Sequence, residues 1–236
     1  DVPVDVPSSS SSSSALAAFD GRYSLYAAVA DVEKREGQVE PRLLWPPSSG
    51  GAHPSKGRQL SRSELEAMGP PLWRVLLVID KREGATAHIL ATHCEVDHDL
   101  VSINVGDFAW VAEHTRTKKR VVLDCIVERK TVSDLAGSIK DTRYREQKAR
   151  LRELAICRRL YLVEGLDVSD GHSFRQGGRG VSGGAIKSAL VDTFLQGIHV
   201  VRTASPTESG TRLGQLTRLI ERRYLRSGDL HTEEGP

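Results

Sequence analysis

The chain has 236 residues, 39% hydrophobic and 27% charged, with a formal net charge of +2. This fits a globular protein with a real core, and the small net charge points to no partner by itself. No apolar run reaches the roughly 20 residues that span a bilayer. The nearest, residues 15–30, is interrupted by Asp20 and Arg22. No secretory signal is expected, because the opening Asp1-Val2-Pro3 lacks a basic stretch. Cys94, Cys125 and Cys157 form no Cys-x-x-Cys pair, which argues against a zinc site or a disulfide framework and for a reducing compartment. The histidines are scattered and read as surface or loop residues.

Residues 1–71 read as a linker or the remnant of an upstream domain. They contain a serine run at 8–14 and the breaker-rich Trp45-Pro46-Pro47-Ser48-Ser49-Gly50-Gly51, while residues 19–39 permit no assignment. An ordered domain is expected over 72–226, followed by a tail at 227–236. Residues 73–79 form a continuous apolar run ending in Asp80, as in a strand buried on both faces. Further strands are expected at 100–105, 108–112, 121–127, 160–163 and around Val200-Val201. Thr131 with Asp134 makes a capping-box start for a helix through Leu135 and Ile139. Another helix covers about 143–154. Ile186, Leu190 and Phe194 mark an amphipathic helix. Ser205-Pro206-Thr207-Glu208 opens a last one, with Leu213, Leu216, Ile220 and Tyr224 on its buried stripe. The glycine-rich segment 165–184 lacks the Gly-Lys-Ser/Thr ending of a phosphate loop and reads as a mobile surface loop. This order of strands and helices predicts a three-layer α/β/α domain with a central mixed sheet.

Charge is uneven. Between residues 139 and 159 eight basic side chains face three acidic ones, a local +5 that suits a phosphate backbone. The same pattern also fits a solvated helix face with i,i+4 pairs.

The chemistry gathers at strand ends. Asp80 and Glu83 close the first strand, Asp107 follows Gly106, and Glu128, Arg129 and Lys130 close the fourth, with Asp134 on the helix beyond. Gathered carboxylates repel one another unless a cation joins them. Oxygen ligands suit Mg²⁺ or Mn²⁺ rather than zinc. Such an ion can polarise a phosphate and lower the pKa of a bound water, while a lysine nearby stabilises developing charge. Asp134 equally fits a helix-cap acid, and Asp80 and Glu83 a strand end in solvent.

The ordered set Gly106-Asp107, then Glu128-Arg129-Lys130-x-x-x-Asp134, resembles the signature of the XPF/Mus family of structure-selective nucleases, a branch of the PD-(D/E)xK, restriction-endonuclease-like fold. Within the family, the segments 106–112, 123–130, 138–148 and 161–165 look like Mus-type catalytic subunits of crossover junction endonucleases, and the resemblance runs from about 73 to 224. It implies a nuclear endonuclease that cuts branched DNA, such as 3′ flaps, nicked Holliday junctions and forks, in recombination and repair. It implies a heterodimer with a noncatalytic Eme-type subunit. It places metal ligands at Asp80, Glu83, Asp107, Glu128 and the carbonyl of Arg129, with Mg²⁺ the cofactor and Mn²⁺ a substitute. Lys130 takes the catalytic lysine position and Asp134 completes the signature. Arg129, Lys140, Arg143, Tyr144, Gln147 and Lys148 are the expected DNA contacts. An XPF-type repair nuclease and a noncatalytic partner of the same fold are the alternatives. The family's tandem helix-hairpin-helix motifs are not among these residues, so weak DNA binding is expected.

Overall fold

The computed structural model describes residues 59–140, 143–165, 173–176 and 179–236. The serine run, the segment 45–51 and residues 19–39 lie outside them.

Six strands form one mixed sheet: β1 (Trp73–Asp80), β2 (His98–Val101), β3 (Phe108–His114), β4 (Arg120–Thr131), β5 (Arg158–Glu164) and β8 (His199–Thr203), in the order β2-β1-β3-β4-β5-β8. β3 runs antiparallel to both β1 and β4, whereas β1–β2, β4–β5 and β5–β8 are parallel. A separate antiparallel pair, β6 (Ser173–Gln176) and β7 (Arg179–Ser182), lies inside the glycine-rich segment read from sequence as a mobile loop. Its backbone groups pair across two neighbouring segments, Ser173 with Ser182 through Gln176 with Arg179, a local pairing that glycine content hides.

The helices are α1 (Arg62–Met68), α2 (Gly84–His93), α3 (Val132–Lys140), α4 (Arg143–Glu153), α5 (Gly183–Leu195) and α6 (Pro206–Ser227). Side-chain alternation along the strands divides the core into two layers. On one face Trp73, Leu77, Phe108, Trp110, Leu123, Leu160 and Val201 pack against α2 and α6. On the other, Ile126, Tyr161 and Val163 pack against α3, α4 and α5. The architecture is a three-layer α/β/α fold. Trp73 and Trp110 are fully buried, and each satisfies its indole N–H, on the Thr232 carbonyl (2.7 Å) and the Thr217 hydroxyl (2.9 Å). Truncating either would cost about 3–5 kcal/mol. Gly210 and Gly214 let α6 lie hard against α2, since a Cβ on Gly210 would fall 2.6 Å from Ile89.

The boundaries differ from the sequence reading. The ordered unit starts before residue 72: α1 opens with a capping box between Ser61 and Glu64, and the Leu60 amide donates to the Arg226 carbonyl. The expected tail is also integral. Leu230 is buried and its carbonyl accepts from the Leu72 amide. Ile220 belongs to the core, while Phe194 and Leu195 are exposed at the end of α5.

Candidate active site

Three carboxylates meet because three strands share one register. Ile79 faces Phe108, and Phe108 faces Val127. One residue further along, Asp80, Asp107 and Glu128 stand side by side at one end of the sheet. The Asp80 amide donates to the Asp107 carbonyl and the Asp107 amide to the Val127 carbonyl, both at 2.8 Å. Strand alternation sends all three carboxylates, and Lys130 two residues after Glu128, to the sheet face that carries Ile126 and Tyr161. Gly106 makes the approach possible. Its φ of +79° is a left-handed conformation, and a Cβ there would lie 2.8 Å from the Ile126 side chain.

β4 is longer than the sequence indicated. Glu128, Arg129 and Lys130 lie within the strand rather than after it, so their side chains alternate in direction. Arg129 points to the opposite face, where its guanidinium bonds Glu164 (2.5 Å) and Glu83 (3.1 Å). Its amide holds the Asp107 carboxylate at 2.7 Å. Glu83 is thus turned toward Arg129, with the Thr86 hydroxyl as a second partner.

Burial drives the electrostatics. Asp107 and Glu128 are each 8% exposed. Burial pushes the Asp107 carboxyl up to about 6, against the Arg129 amide and with the help of the nearby Glu83 charge. Burial, then the Asp107 charge, pushes Glu128 up to about 7. Asp80 moves the other way. Burial raises it, but hydrogen bonds from the Arg82 side chain and amide and from the Ile103 amide together bring it below the usual range. Burial lowers the Lys130 ammonium, with the Glu128 charge opposing.

Arg82 went unnoticed in the sequence although it stands inside Asp80-Lys81-Arg82-Glu83. Its guanidinium lies 2.6 Å from Asp80 and 3.8 Å from Asp107, and its side chain is 72% exposed. A cation therefore already sits between two acids of the row. As the side chains stand, no group of three or more acid, histidine or cysteine side chains among the described residues converges on a metal position. The donor set still fits a hard divalent ion. Two buried carboxylates repel each other, and Mg²⁺ needs only one or two protein carboxylates, with waters and phosphate oxygens completing its shell.

The other expected residues separate into two groups. Asp134 caps α3, accepting from the Thr131 hydroxyl at 2.7 Å while its amide donates to that hydroxyl, and it also faces the Lys130 charge. Gln147, half-buried on α4, bonds both Lys130 and Glu128. Lys140, Arg143, Arg145, Arg150 and Arg152 are exposed, and of these the Arg143 charge acts on Lys130. Two expected DNA contacts do not fit a DNA face. Lys148 is 2% exposed, paired with Asp192 at 2.5 Å and set 4.2 Å over the Tyr144 ring. Tyr144 is buried and its hydroxyl bonds the Ala189 carbonyl and Thr193. Arg158 and Arg159 also leave the basic patch, Arg158 to pair with Asp124 and Arg159 to donate to the Leu151 and Leu154 carbonyls. Periodicity alone cannot tell which cations of an arginine-rich helix turn inward.

Residues 79–216 match the ERCC4 domain, and the chain belongs to the ERCC4-domain family. Within that family its likeness is to MUS81-type subunits. It is 34% identical over 197 residues to the human structure-specific endonuclease subunit MUS81, an alignment covering 76% of this chain and 34% of that protein. It is 31% identical to the crossover junction endonuclease MUS81 of Arabidopsis thaliana, covering 81% of this chain and 32% of that one. It is 30% identical to that of Debaryomyces hansenii, covering 74% and 27%. The chain thus spans about a third or less of the length of these relatives. Among solved structures, XPF from Aeropyrum pernix is similar at 28% identity, covering 63% of this chain and 66% of that one with a TM-score of 0.48. No helix among the described residues is long and apolar enough to cross a membrane.

Proposed function

We propose that this chain is the catalytic core of a Mg²⁺-dependent, structure-selective DNA endonuclease that cuts branched DNA in recombination and repair. Its substrates are 3′ flaps, nicked Holliday junctions and forks. It works in the nucleus as a heterodimer with an Eme-type noncatalytic subunit. The observation that carries this reading is the cross-strand row of Asp80, Asp107 and Glu128 with Lys130 on the same face. A row of buried carboxylates is costly to keep in a noncatalytic partner, and a divalent cation relieves its repulsion.

Asp107 and Glu128 would hold the ion, with Asp80 beside them; Glu83 and the Arg129 carbonyl, also expected as ligands, would join them only if Glu83 left its pairing with the Arg129 guanidinium. When bound, Mg²⁺ supplies a Lewis acid for the scissile phosphate and a water acidified toward hydroxide; Mn²⁺ substitutes. Lys130 is held on the same strand face, half-buried, where its point charge acts on the developing negative charge more strongly than it would in water. The Arg129 amide fixes the Asp107 carboxylate. The exposed Lys140 and Arg143 meet the phosphate backbone.

The test is cleavage of a panel of 5′-labelled flaps, nicked junctions, forks and plain duplex by this chain with an Eme-type partner, in Mg²⁺ and in EDTA. Cleavage of the branched substrates in Mg²⁺ alone is expected. Cutting that persists in EDTA, or in Asp107→Ala, would overturn the reading.

A further inference from the structure

We propose that Gln147 is a positioning residue that holds Lys130 and Glu128 apart, and so keeps the carboxylate open for a cation and the ammonium open for substrate. This rests on the reading of the row as a metal-dependent site, and it assigns Gln147 to that site rather than to the DNA contacts.

Lys130 and Glu128 share one face of β4 two residues apart, a backbone separation of roughly 6.6 Å. A lysine reaches a carboxylate across that distance with ease, and in a half-buried site the two charges would close on each other. They do not. The Gln147 amide stands between them: the Lys130 ammonium donates to its Oε1 at 2.5 Å, and its Nε2 donates to the Glu128 Oε1 at 3.0 Å. The chemistry fixes which way the amide faces, since an ammonium only donates and an ionised carboxylate only accepts. The substitutions that keep the length of this side chain cannot serve both: an ionised glutamate could accept from Lys130 but not donate to Glu128, and a methionine could do neither.

Nothing else in the neighbourhood takes this place. Among the described residues no other side chain donates to the Glu128 carboxylate or accepts from Lys130. The Tyr161 hydroxyl, paired in register with Glu128, is buried without a partner and so does not orient it. Nor does Gln147 anchor its helix. α4 docks through Tyr144, Lys148 and Leu151, spaced i, i+4 and i+7, and Gln147 is only half-buried. Helix α4 therefore bonds the Lys130–Glu128 pair through a side chain that its packing does not require.

The experiment compares wild type, Gln147→Met, Gln147→Glu and Asp107→Ala. Mn²⁺ binding is titrated calorimetrically without DNA. Flap affinity is measured in Ca²⁺, and kcat and KM in Mg²⁺ with an Eme-type partner. Gln147→Met lets Lys130 collapse onto Glu128 and should weaken Mn²⁺ binding about 10- to 100-fold, as loss of a group bonded to a ligand does elsewhere. It should lower kcat at least about 10-fold on the same ground, with KM and flap affinity within about twofold of wild type. Gln147→Glu keeps the acceptor for Lys130 but loses the donor to Glu128 and adds a carboxylate beside the cation site, so its Mn²⁺ affinity should hold or rise while kcat falls at least about 10-fold. Should Gln147→Met fold poorly, the isosteric Gln147→Glu carries the kcat comparison, and wild-type kcat in it overturns the inference. If wild type and Asp107→Ala bind Mn²⁺ alike, the metal site itself is wrong and this inference falls with it. If Asp107→Ala loses Mn²⁺ but Gln147→Met keeps it, or if flap affinity falls while Mn²⁺ binding and kcat hold, Gln147 does not position the site.

Discussion

At the scale of single residues, the consequence easiest to measure is pH dependence. Asp107 and Glu128 are held near 6 and 7, above the ordinary carboxyl range, chiefly by burial. A group whose pKa the fold raises adds stability that is complete below its unfolded pKa, near 4, and is lost as pH climbs through the folded value. Without metal, the melting temperature should therefore fall between about pH 5 and pH 8, and Mg²⁺ should restore it at the alkaline end. Asp107→Ala should flatten that decline, gain about 1–2 kcal/mol at pH 8 in EDTA, and abolish cleavage. A scanning-fluorimetry series in EDTA showing parallel curves for wild type and variant would contradict this. Lys130 gives a second prediction. Lys130→Arg should cleave poorly, by 10-fold or more on the order of an oxyanion-stabilising contact, because a planar fork does not replace a compact point charge seated on the Gln147 carbonyl. Its Mn²⁺ affinity should hold within a few-fold, and equal cleavage by both proteins would make Lys130 a surface charge. Arg82 already supplies a positive charge between Asp80 and Asp107. Arg82→Ala should strengthen Mn²⁺ binding in the absence of DNA by removing this competitor, and unchanged or weaker binding would show that the guanidinium does not compete.

At the scale of elements, the site depends on the turn that delivers Asp107. Gly106→Ala must adopt positive φ and also displace Ile126. It should cost about 1–3 kcal/mol and reduce cleavage along with stability, because Asp107 moves with the turn. Among the described residues, no helix packs on the other half of this sheet face, over β1 and β3. Leu76, Val78 and Val111 are covered there by the partly buried Ile103 and Val122, with an ion network at the far end. Glu113 lies buried at the centre of that network, bonded by Arg74, Lys118 and Arg120. Burial pushes its carboxyl up, but the hydrogen bonds from Arg74, Arg120 and Lys118 outweigh that and hold it at about 2. Its contribution is present above about pH 4.5 and lost as pH falls toward 2. Glu113→Ala should cost about 1–2 kcal/mol at pH 7, discounted because the partners are partly solvated, with no effect on Mn²⁺ binding. Urea titrations at pH 7 and pH 3 check both the magnitude and its shrinkage in acid.

At the scale of the whole molecule, residues beyond α6 hold the sheet's outer edge. The Trp73 indole donates to Thr232, Leu230 is buried, and Gly235 lies against the Trp73 ring. Deleting residues 228–236 should lower the melting temperature by about 2–8 °C, as a loss of about 1–2 kcal/mol implies for a domain of this size. A truncated protein that melts with wild type would return these residues to the status of a tail. DNA affinity is the complementary prediction. With Lys148, Arg158 and Arg159 turned inward, three of the eight basic residues between 139 and 159 are withdrawn from counterion release. Binding to a nicked junction by this chain alone should be weak, with a shallow salt slope. Fluorescence anisotropy across a salt series measures it, and tight junction-selective binding would show that this domain reads the branch unaided.

Much of the fold was legible in the residues because local physics wrote it there. The apolar run at 73–79, the Ser205-Pro206 helix start and the Thr131–Asp134 cap each encode their element without distant help. Gly106, Asp107, Glu128 and Lys130 could be picked out as a set because their order and spacing match a family signature, not because any one of them is distinctive. The sequence was silent where the answer depends on a partner far along the chain. The register that aligns Asp80, Asp107 and Glu128 arises from backbone pairing between β1, β3 and β4. The inward turn of Lys148 needs Asp192, 44 residues away, and the pairing of Arg129 needs Glu164, 35 away. The burial that lifts the Asp107 and Glu128 carboxyls comes from the same packing. Spacing fixes which residue types recur, but tertiary structure alone decides which charges are desolvated, and desolvation is what makes a carboxylate reactive toward a metal or a lysine sensitive to its neighbours.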